Sequence, residues 1–208
     1  MTVDGRAVRG ARTRTAVLDA AVVLATEAGL DGLSLSQLAE RLGVSKSGLF
    51  AHWRSKEELQ LAAIDHAREQ LVDAVVLPAL QAPRGIRRLW ALHDRKMAHL
   101  AAGELPGGCF FANAQFEYLA RTGPVRDRVA ETLGDWLALI ERLAREAVEA
   151  GELTADPQQL AFEIDAVNVA AVYQSRLMPT VDVFGMSRVA VLRRLRDLSP
   201  HPELLPEA

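Results

Sequence analysis

The stretch from Ser34 to Leu59, SLSQLAERLGVSKSGLFAHWRSKEEL, holds two short helical patterns separated by a glycine and followed by the start of a third helix. Apolar residues recur at helical spacing up to Leu42, and Gly43 tolerates the positive φ that a sharp turn requires. We expect Val44 to fill the corner of that turn. The stretch therefore predicts a helix-turn-helix unit, whose second helix fits the major groove of DNA.

The second helix of this unit has the composition of a DNA-reading surface. Ser45 is placed to cap its N-terminus. Its first two turns, the end that meets base edges and phosphates in such motifs, then hold Lys46, Ser47, Gly48 and His52. A glycine inside a helix costs roughly 1 kcal/mol relative to alanine, and close approach of the backbone to DNA is one reason to accept that cost.

A third helix is predicted to start at Ser55, with Glu58 completing a capping box three residues later. Lys56 lies in the first turn, where a positive charge opposes the helix dipole. Two interpretations stay open for this lysine: it contacts an external anion such as a DNA phosphate, or it is solvated.

The helices around this stretch resemble the N-terminal domain of the tetracycline-repressor (TetR) family over about residues 12–62. Phe50 stands where a tyrosine is common in that family, which removes one phosphate hydrogen bond, and Trp53 stands where a phenylalanine is common. The resemblance is carried by Ala20, Ala21, Leu24, Ala28, Gly29, Leu38, Ala39, Gly43, Val44, Ser45, Leu49, His52, Ser55, Lys56, Glu57 and Leu59.

The resemblance and the motif together indicate which residues contact DNA or support that contact. They are Ser34, Ser36, Gln37, Ser45, Lys46, Ser47, Gly48, Leu49, Phe50, His52, Trp53 and Lys56. Residues 1–56 contain 8 Lys and Arg against 5 Asp and Glu, so they carry +3 while the remainder of this chain of net charge −3 carries −6. A basic head on an acidic body favours phosphate attraction at one end only. The N-terminal arginines are predicted either to contact DNA or to form a solvated arm; they are Arg6, Arg9, Arg12 and Arg14.

Composition favours a cytoplasmic, all-α protein. The 208 residues are half hydrophobic, and no apolar run approaches membrane-spanning length or resembles a signal peptide. Cys109 is the only cysteine, which excludes an internal disulfide and suits a reducing compartment.

Glycine and proline positions divide the chain into about nine predicted helices. A three-helix DNA-binding domain is expected over residues 1–56 and a larger helical effector-binding and dimerisation domain over residues 57–208. In the second domain, helices are predicted at about 56–77, 85–102, 109–121, 124–150, 157–178 and 183–198.

Two apolar stripes mark the last two predicted helices. The resemblance implies that these helices pair with those of a second subunit, and a two-fold homodimer suits a palindromic operator on double-stranded DNA. Alternatively, both stripes belong to the subunit's own core. The stripe residues assigned to the dimer interface are Leu160, Ile164, Val167, Ala171, Val191, Leu195 and Leu198.

Aromatic and polar residues recur through the body at helical spacing. They are consistent with an apolar pocket holding a few polar groups, although such rows also arise in ordinary cores. The resemblance implies an effector cavity here, with ligand binding favouring a spacing of the DNA-binding heads that no longer matches the operator. The candidate effector-binding residues are Trp90, His93, Met97, Cys109, Phe110, Asn113, Phe116, Trp136, Asn168 and Tyr173.

An enzyme is the competing class. Cys109 lacks an evident His and Asn or Asp partner, and His66 with Glu69 lacks a second pair of metal ligands, so we expect no catalytic residue, metal or cofactor. The sequence therefore predicts a ligand-responsive transcriptional regulator, in this family most often a repressor, that leaves its operator when a small apolar effector binds. A constitutive regulator without effector is the alternative, and a helical enzyme using Cys109 is a distant one.

Overall fold

The computed structural model describes the backbone of residues 5–50 and 52–207, and the side chains of residues 14–47, 49 and 52–207. The described residues are helical throughout and form no strand, which confirms the predicted all-α class. The α-helices are α1 Gly5–Ala28, α2 Leu35–Leu42, α3 Lys46–Phe50, α4 Lys56–Leu71, α5 Leu77–Leu80, α6 Ile86–Ala101, α7 Phe110–Tyr118, α8 Pro124–Glu149, α9 Pro157–Leu177 and α10 Val183–Asp197.

Most helix boundaries of the body follow the predicted punctuation. Asp156 is the N-cap of α9, and its Oδ1 accepts a hydrogen bond of 2.7 Å from the backbone N–H of Gln159. Pro124 starts α8, and Gly151 follows its end with a φ of +72°. Capping chemistry near these boundaries is local, which is why the sequence is sufficient to place them.

The helical path that starts with α4 continues three residues past its predicted end at about residue 77. A π-helical turn, Val72–Val76, joins α4 to α5, and Pro78 lies in the first turn of α5. The N–H of Leu77 bonds to the carbonyl of Val72, five residues back. This wider turn shifts the hydrogen-bond register just before the proline, so the helical path continues where a regular α-helix would have met the proline ring.

The chain divides into two compact units. The first unit comprises Met1–Glu69 and Leu105–Ala130, and the second comprises Gln70–Glu104 and Glu131–Ala208. The division therefore differs from the expected boundary between residues 56 and 57. The reason is that Phe110, Tyr118 and Val129, far along the chain, pack into the same apolar core as α1, α2 and α4.

The second unit has its own core, formed by α6, α8, α9 and α10 together with residues near Val75. A bidentate ion pair also joins α9 to α10, because Arg194 donates to both carboxylate oxygens of Glu163 at 2.8 and 3.2 Å. No helix in the described ranges combines the length and apolar character needed to cross a lipid bilayer.

Candidate nucleic-acid interface

The turn between α2 and α3 has the predicted geometry. The hydroxyl of Ser34 caps α2 by accepting a hydrogen bond of 3.2 Å from Gln37 N. Gly43 ends α2 in the left-handed region, with φ 63° and ψ 30°, where a side chain would be strained. Val44 N then bonds to Ala39 O at 3.0 Å. These contacts fix the direction in which α3 leaves the turn.

Val44 does not fill the corner as predicted, since 40% of it is exposed. The left-handed residue before it turns the chain so that Val44 lies on the surface just before α3. A surface methyl pair in this position is suited to contact with a thymine methyl group in a major groove. This exposure was not predictable from the local pattern, because a valine beside a turn ordinarily packs in a core.

The N-terminal residues of α3 present their side chains to solvent. Lys46 and Ser47 are both exposed, and the hydroxyl of Ser47 lies 3.3 Å from that of Ser45. Helix α3 ends at Phe50, so His52 follows the helix instead of lying in its second turn. The N–H of His52 bonds to Leu49 O at 2.9 Å, a tight turn that ends the helix early.

Two of the residues expected to contact DNA or to support that contact are buried. Leu49 and Trp53 are each 2% exposed and belong to the core of the first unit, so their side chains support α3 from behind. Their apolar area is better used against α1, α2 and α4 than against a wet, charged groove. The side-chain contacts predicted for Gly48 and Phe50 lie outside the described residues.

The predicted basic arm is described only in part. The side chains of Arg6, Arg9 and Arg12 lie outside the described residues. Arg14 places its guanidinium 5.0 Å from the ring centre of Trp53, in a cation–π contact. This contact gives Arg14 a structural role within the first unit.

The start of α4 is capped much as predicted. Ser55 Oγ accepts from Glu58 N at 3.1 Å, whereas the returning bond of the capping box goes from Arg54 N to Glu58 Oε2 at 2.7 Å, one residue earlier than expected. Lys56 Nζ lies 3.2 Å from Asp31 Oδ1. Lys56 is therefore paired with a carboxylate of its own chain, and neither of the two interpretations of the sequence included this ion pair.

Asp31 is also paired with Arg121, at 3.0 Å. The pKa of Asp31 is lowered, mainly by its contact with Lys56 and next by that with Arg121. The same neighbourhood contains Glu117, whose carboxylate accepts from Leu30 N at 2.7 Å and from Asp31 N at 2.8 Å. A residue of α7 thus holds the turn that precedes α2.

Glu117 is a supporting residue that sequence reasoning missed. It is separated from the turn it holds by more than eighty residues, and no local pattern marks it. Nearby, the amide of Gln60 donates to Leu30 O at 2.8 Å and to the Tyr118 hydroxyl at 3.1 Å. The first of these bonds gives the Leu30 carbonyl a second donor, since Leu33 N also bonds to it at 3.3 Å.

The candidate effector residues do not form one group. Cys109, Phe110, Asn113 and Phe116 belong to the first unit, and the other six belong to the second. Phe110 packs in the first unit's core, and Asn113 donates to Gly107 O at 2.9 Å. Phe116 and Tyr173 are mainly exposed, which disagrees with their assignment to an apolar interior.

Two of the other candidates, His93 and Asn168, belong to a polar cluster in the interior of the second unit. His93, Asn168 and Ser187 are buried there, and the rings of His93 and Trp90 are 5.7 Å apart. Burial lowers the pKa of His93 to about 4, against the opposing influence of the Ser187 backbone and the Asn168 side chain. The imidazole is therefore neutral at pH 7.

A second polar group involves Trp136. Lys96 Nζ lies 4.0 Å from the Trp136 ring centre, and Trp136 Nε1 donates to Asp165 Oδ1 at 3.1 Å. Burial raises the pKa of Asp165, and Lys96 and Trp136 oppose that shift. Among the side chains described, no cluster of three or more His, Cys, Asp or Glu could hold a metal ion.

The stripes assigned to the dimer interface form the subunit's own core, as the alternative interpretation expected. The second unit's apolar cluster contains the buried residues Leu160, Ile164, Val191 and Leu195, and the partly buried Val167 and Leu198 pack against it. Ala171 is buried as well. The larger, more regular stripe of each helix faces inward because burying it removes most apolar area from water.

The opposite face of α9 is also apolar. Phe162 is 66% exposed and Leu177 is 67% exposed, and exposed Ala166, Ala170 and Tyr173 lie between them at helical spacing. On α10, Met186 and Val189 are exposed as well. Large exposed apolar patches of this kind mark interaction sites.

The sequence matches two family models. Residues 17–63 match that of "Bacterial regulatory proteins, tetR family", and residues 85–191, just over half of the chain, match that of "Tetracyclin repressor-like, C-terminal domain". The first of these matches contains α2, α3 and the start of α4, where the exposed surface described above lies.

Two curated relatives are transcriptional regulators. The chain is 28% identical to the HTH-type transcriptional regulator SrpR of Pseudomonas putida over 142 residues, which is 68% of this chain and 63% of SrpR, a little under two thirds of that protein. It is also 28% identical to the HTH-type transcriptional repressor BepR of Brucella suis over 148 residues, covering 70% of this chain and 71% of BepR.

Solved structures share the fold. A TetR transcriptional regulator from Chloroflexus aurantiacus has a TM-score of 0.84 at 25% identity, covering 92% of this chain and 98% of that one. AibR, solved with isovaleryl coenzyme A and operator DNA, has a TM-score of 0.65 at 19% identity, covering 89% and 97%. The two family models, one of which covers just over half of the chain, show that this chain belongs to the TetR family of transcriptional regulators.

Proposed function

We propose that this TetR-family regulator is a homodimeric repressor that binds a palindromic operator through α3 of each subunit and leaves it when a small molecule binds the second unit. The exposed N-terminus of α3 carries the proposal. Lys46 and Ser47 face solvent there, on a short helix fixed by the Gly43 turn and supported from behind by Leu49 and Trp53. A polar, positively charged helix end of this kind suits a major groove.

The exposed apolar face of α9 and α10 supports the homodimer. A two-fold pair of these faces would remove Phe162, Leu177 and Met186 from water, and the resulting dimer would carry two copies of α3, as a palindromic operator requires. BepR is named a repressor, and this supports repression as the direction of control. The buried polar cluster around His93 supports ligand release, because unpaired polar groups inside a core are suited to recognising a ligand.

A constitutive repressor is the second candidate. The inward packing of the second unit's apolar residues favours it, since side chains such as Met97 and Ile140 have essentially no exposure. The two candidates share DNA binding and differ only in whether a compound releases the operator.

The first experiment identifies the operator. Random duplexes retained by the purified protein should converge on a palindrome with half-sites one helical turn apart, or a multiple of it. Ser47→Ala should change the preferred base at one position of each half-site and leave the salt dependence of binding unchanged. Lys46→Ala should weaken binding to every sequence and reduce the slope of log affinity against log salt by about 0.9.

Arg145→Ala, a change of equal charge on α8 in the second unit, serves as the control and should leave both quantities unchanged. Retention of no common sequence, or a Lys46→Ala protein with the wild-type salt slope, would contradict the α3 interface. A thermal-shift screen against lipophilic compounds, repeated with operator displacement, then separates the two candidates. A stabilising compound that also releases DNA supports ligand control, and stabilisation without release supports the constitutive repressor.

A further inference from the structure

Three helices of the second unit bring uncharged polar side chains together in its interior. His93 comes from α6, Asn168 from α9 and Ser187 from α10, and they are 2%, 3% and 4% exposed. In the part of the chain that the structure describes, both imidazole nitrogens, both amide atoms and the hydroxyl oxygen lack a hydrogen-bond partner. Such a group of orphaned atoms is unusual, because more than nine-tenths of buried polar atoms in proteins are paired.

These side chains lie close to one another, yet no contact between them has ordinary hydrogen-bond geometry. The Ser187 backbone and the Asn168 side chain are near enough to His93 to raise its pKa as hydrogen-bonding neighbours, against the larger lowering by burial. Each of the three residues can both donate and accept, since a neutral imidazole, a carboxamide and a hydroxyl all have both capacities. The cluster can therefore donate hydrogen bonds to a bound small molecule and accept hydrogen bonds from it.

The charges around the cluster are already matched. Asp94 of α6, next to His93 in sequence, forms an ion pair with Arg188 of α10. Lys96 lies over the Trp136 ring, whose Nε1 binds Asp165. A ligand bearing a full charge would meet no unmatched partner among these groups and would have to lose its hydration to enter, which is costly.

We propose that His93, Asn168 and Ser187 bind the neutral hydrogen-bonding group, a carboxamide or similar carbonyl with an adjacent N–H or O–H, of a small aromatic or aliphatic effector. This inference rests on the proposed function in taking the ligand to be the effector. It differs from the sequence expectation of a purely apolar effector, because three orphaned polar residues would stay unpaired against an apolar ligand. The nearby Trp90 ring favours an aromatic body on the ligand.

The first test needs no ligand. Because the amide of Asn168 is unpaired in our proposal, Asn168→Leu replaces its two unsatisfied atoms with methyl groups on a side chain of the same branching, and it should raise the Tm of the protein by about 3 °C or more. The matched control is Asn113→Leu, since that amide donates to Gly107 O at 2.9 Å and its loss should lower the Tm. A lower Tm for Asn168→Leu, parallel to the control, would show that the amide is already paired and would overturn the site.

The second test measures the Tm in the presence of four monosubstituted benzenes of similar size, each at the same concentration in the millimolar range. They are benzamide, benzoate, benzylamine and ethylbenzene. Benzamide should raise the Tm of the wild-type protein more than the other three do. That response should be lost in Asn168→Leu and reduced in Ser187→Ala. It should persist in Ser175→Ala, a serine of α9 whose hydroxyl is paired with Val172 O at 2.8 Å.

An equal response to ethylbenzene, a larger response to either charged compound, no response to benzamide, or a benzamide response that survives in Asn168→Leu would each overturn the inference. Both tests use the free protein. Failure of the proposed regulatory function would instead appear as loss of operator binding or of ligand-dependent release in the wild type, so the two failures are distinguishable.

Discussion

The imidazole of His93 lies in the interior of the second unit, where burial lowers its pKa from 6.5 to about 4. Asp94 raises that pKa and Arg188 lowers it, both more weakly than burial does. At a pH between 4 and 6.5, His93 is therefore protonated in the unfolded chain and neutral in the folded protein. Stability therefore rises with pH across this window and is lost as the pH falls from about 6.5 to about 4.

Replacing His93 with glutamine should flatten this part of the stability curve. The full shift corresponds to about 3 kcal/mol of free energy of unfolding, and chemical denaturation at a series of pH values measures it. His201→Gln, a change at an exposed histidine of the same unit, should keep the wild-type curve. If the stability of His93→Gln fell between pH 6.5 and 4 as steeply as that of the wild type, His93 would not be the group that causes this pH dependence.

Lys56 shows how a charged residue can be placed correctly and yet be partnered unexpectedly. Its ammonium contacts the Asp31 carboxylate, so a DNA phosphate would have to replace that partner. Asp31→Asn should therefore strengthen binding to all DNA sequences by a few-fold at low salt and steepen the salt dependence. Competition or fluorescence-anisotropy titrations at several salt concentrations measure both effects.

Asp127→Asn removes an equal charge from the same unit without touching Lys56 and is the control for that experiment. Equal gains in the two variants would mean that the effect is one of overall charge. The sequence identified Lys56 as a misplaced charge because the helix dipole is a local property. It could not identify Asp31 as the partner, since their contact depends on how α4 packs in the folded first unit.

Helix α7 contributes to the DNA-binding unit although it lies far along the chain. Through Glu117 it pairs two backbone N–H groups of the turn at Leu30 and Asp31. Glu117→Gln keeps the size but leaves only one acceptor oxygen for two donors. We expect it to lower the free energy of unfolding by about 1–3 kcal/mol and to weaken operator binding, because α2 and α3 start from this turn.

Denaturant titration and operator binding measured on the same preparation test this expectation. Glu149→Gln, at the end of α8, removes an equal charge elsewhere and should leave both measurements unchanged. If Glu117→Gln matched that control, the two hydrogen bonds would have no role in holding the turn.

Elements whose signals are local were predictable from the sequence. The Gly43 turn, the Asp156 cap and the Pro124 start follow from the conformational preferences of single residues. The π-helical turn before Pro78 was not predictable, because a proline ordinarily ends a helix. The place of α7 was missed as well, since Phe110 and Tyr118 pack into the core that α1, α2 and α4 form much earlier in the chain.

In the candidate site, too, local features were predictable from the sequence and features that depend on long-range packing were not. The exposure of Lys46 and Ser47 agrees with the motif, because a helix-turn-helix defines which helix faces outward. Leu49 and Trp53 lie on the inner side of the same short segment, and a motif match does not separate the two sides. The effector candidates were grouped by residue type and helical spacing, and neither reveals that they belong to two different units.

At the scale of the whole molecule, the exposed apolar face of α9 and α10 governs assembly in our proposal. Leu177→Glu should place a charge in the interface of a homodimer, so sedimentation velocity should show monomers and operator affinity should fall by at least tenfold. Leu119→Glu, a similar change at a more exposed leucine of the first unit, is the control and should stay dimeric. A dimeric Leu177→Glu protein would exclude this face.

The division of the first unit into two separate stretches has a consequence for its synthesis on the ribosome. Residues up to Glu69 are made first, but their core lacks Phe110, Tyr118 and Val129 until Leu105–Ala130 has emerged. At translation rates of roughly 5–20 residues per second, that interval lasts on the order of several seconds. During this time the nascent DNA-binding part exposes apolar surface that only the later segment can cover, so its maturation is tied to elongation and is not complete when its own helices have been made.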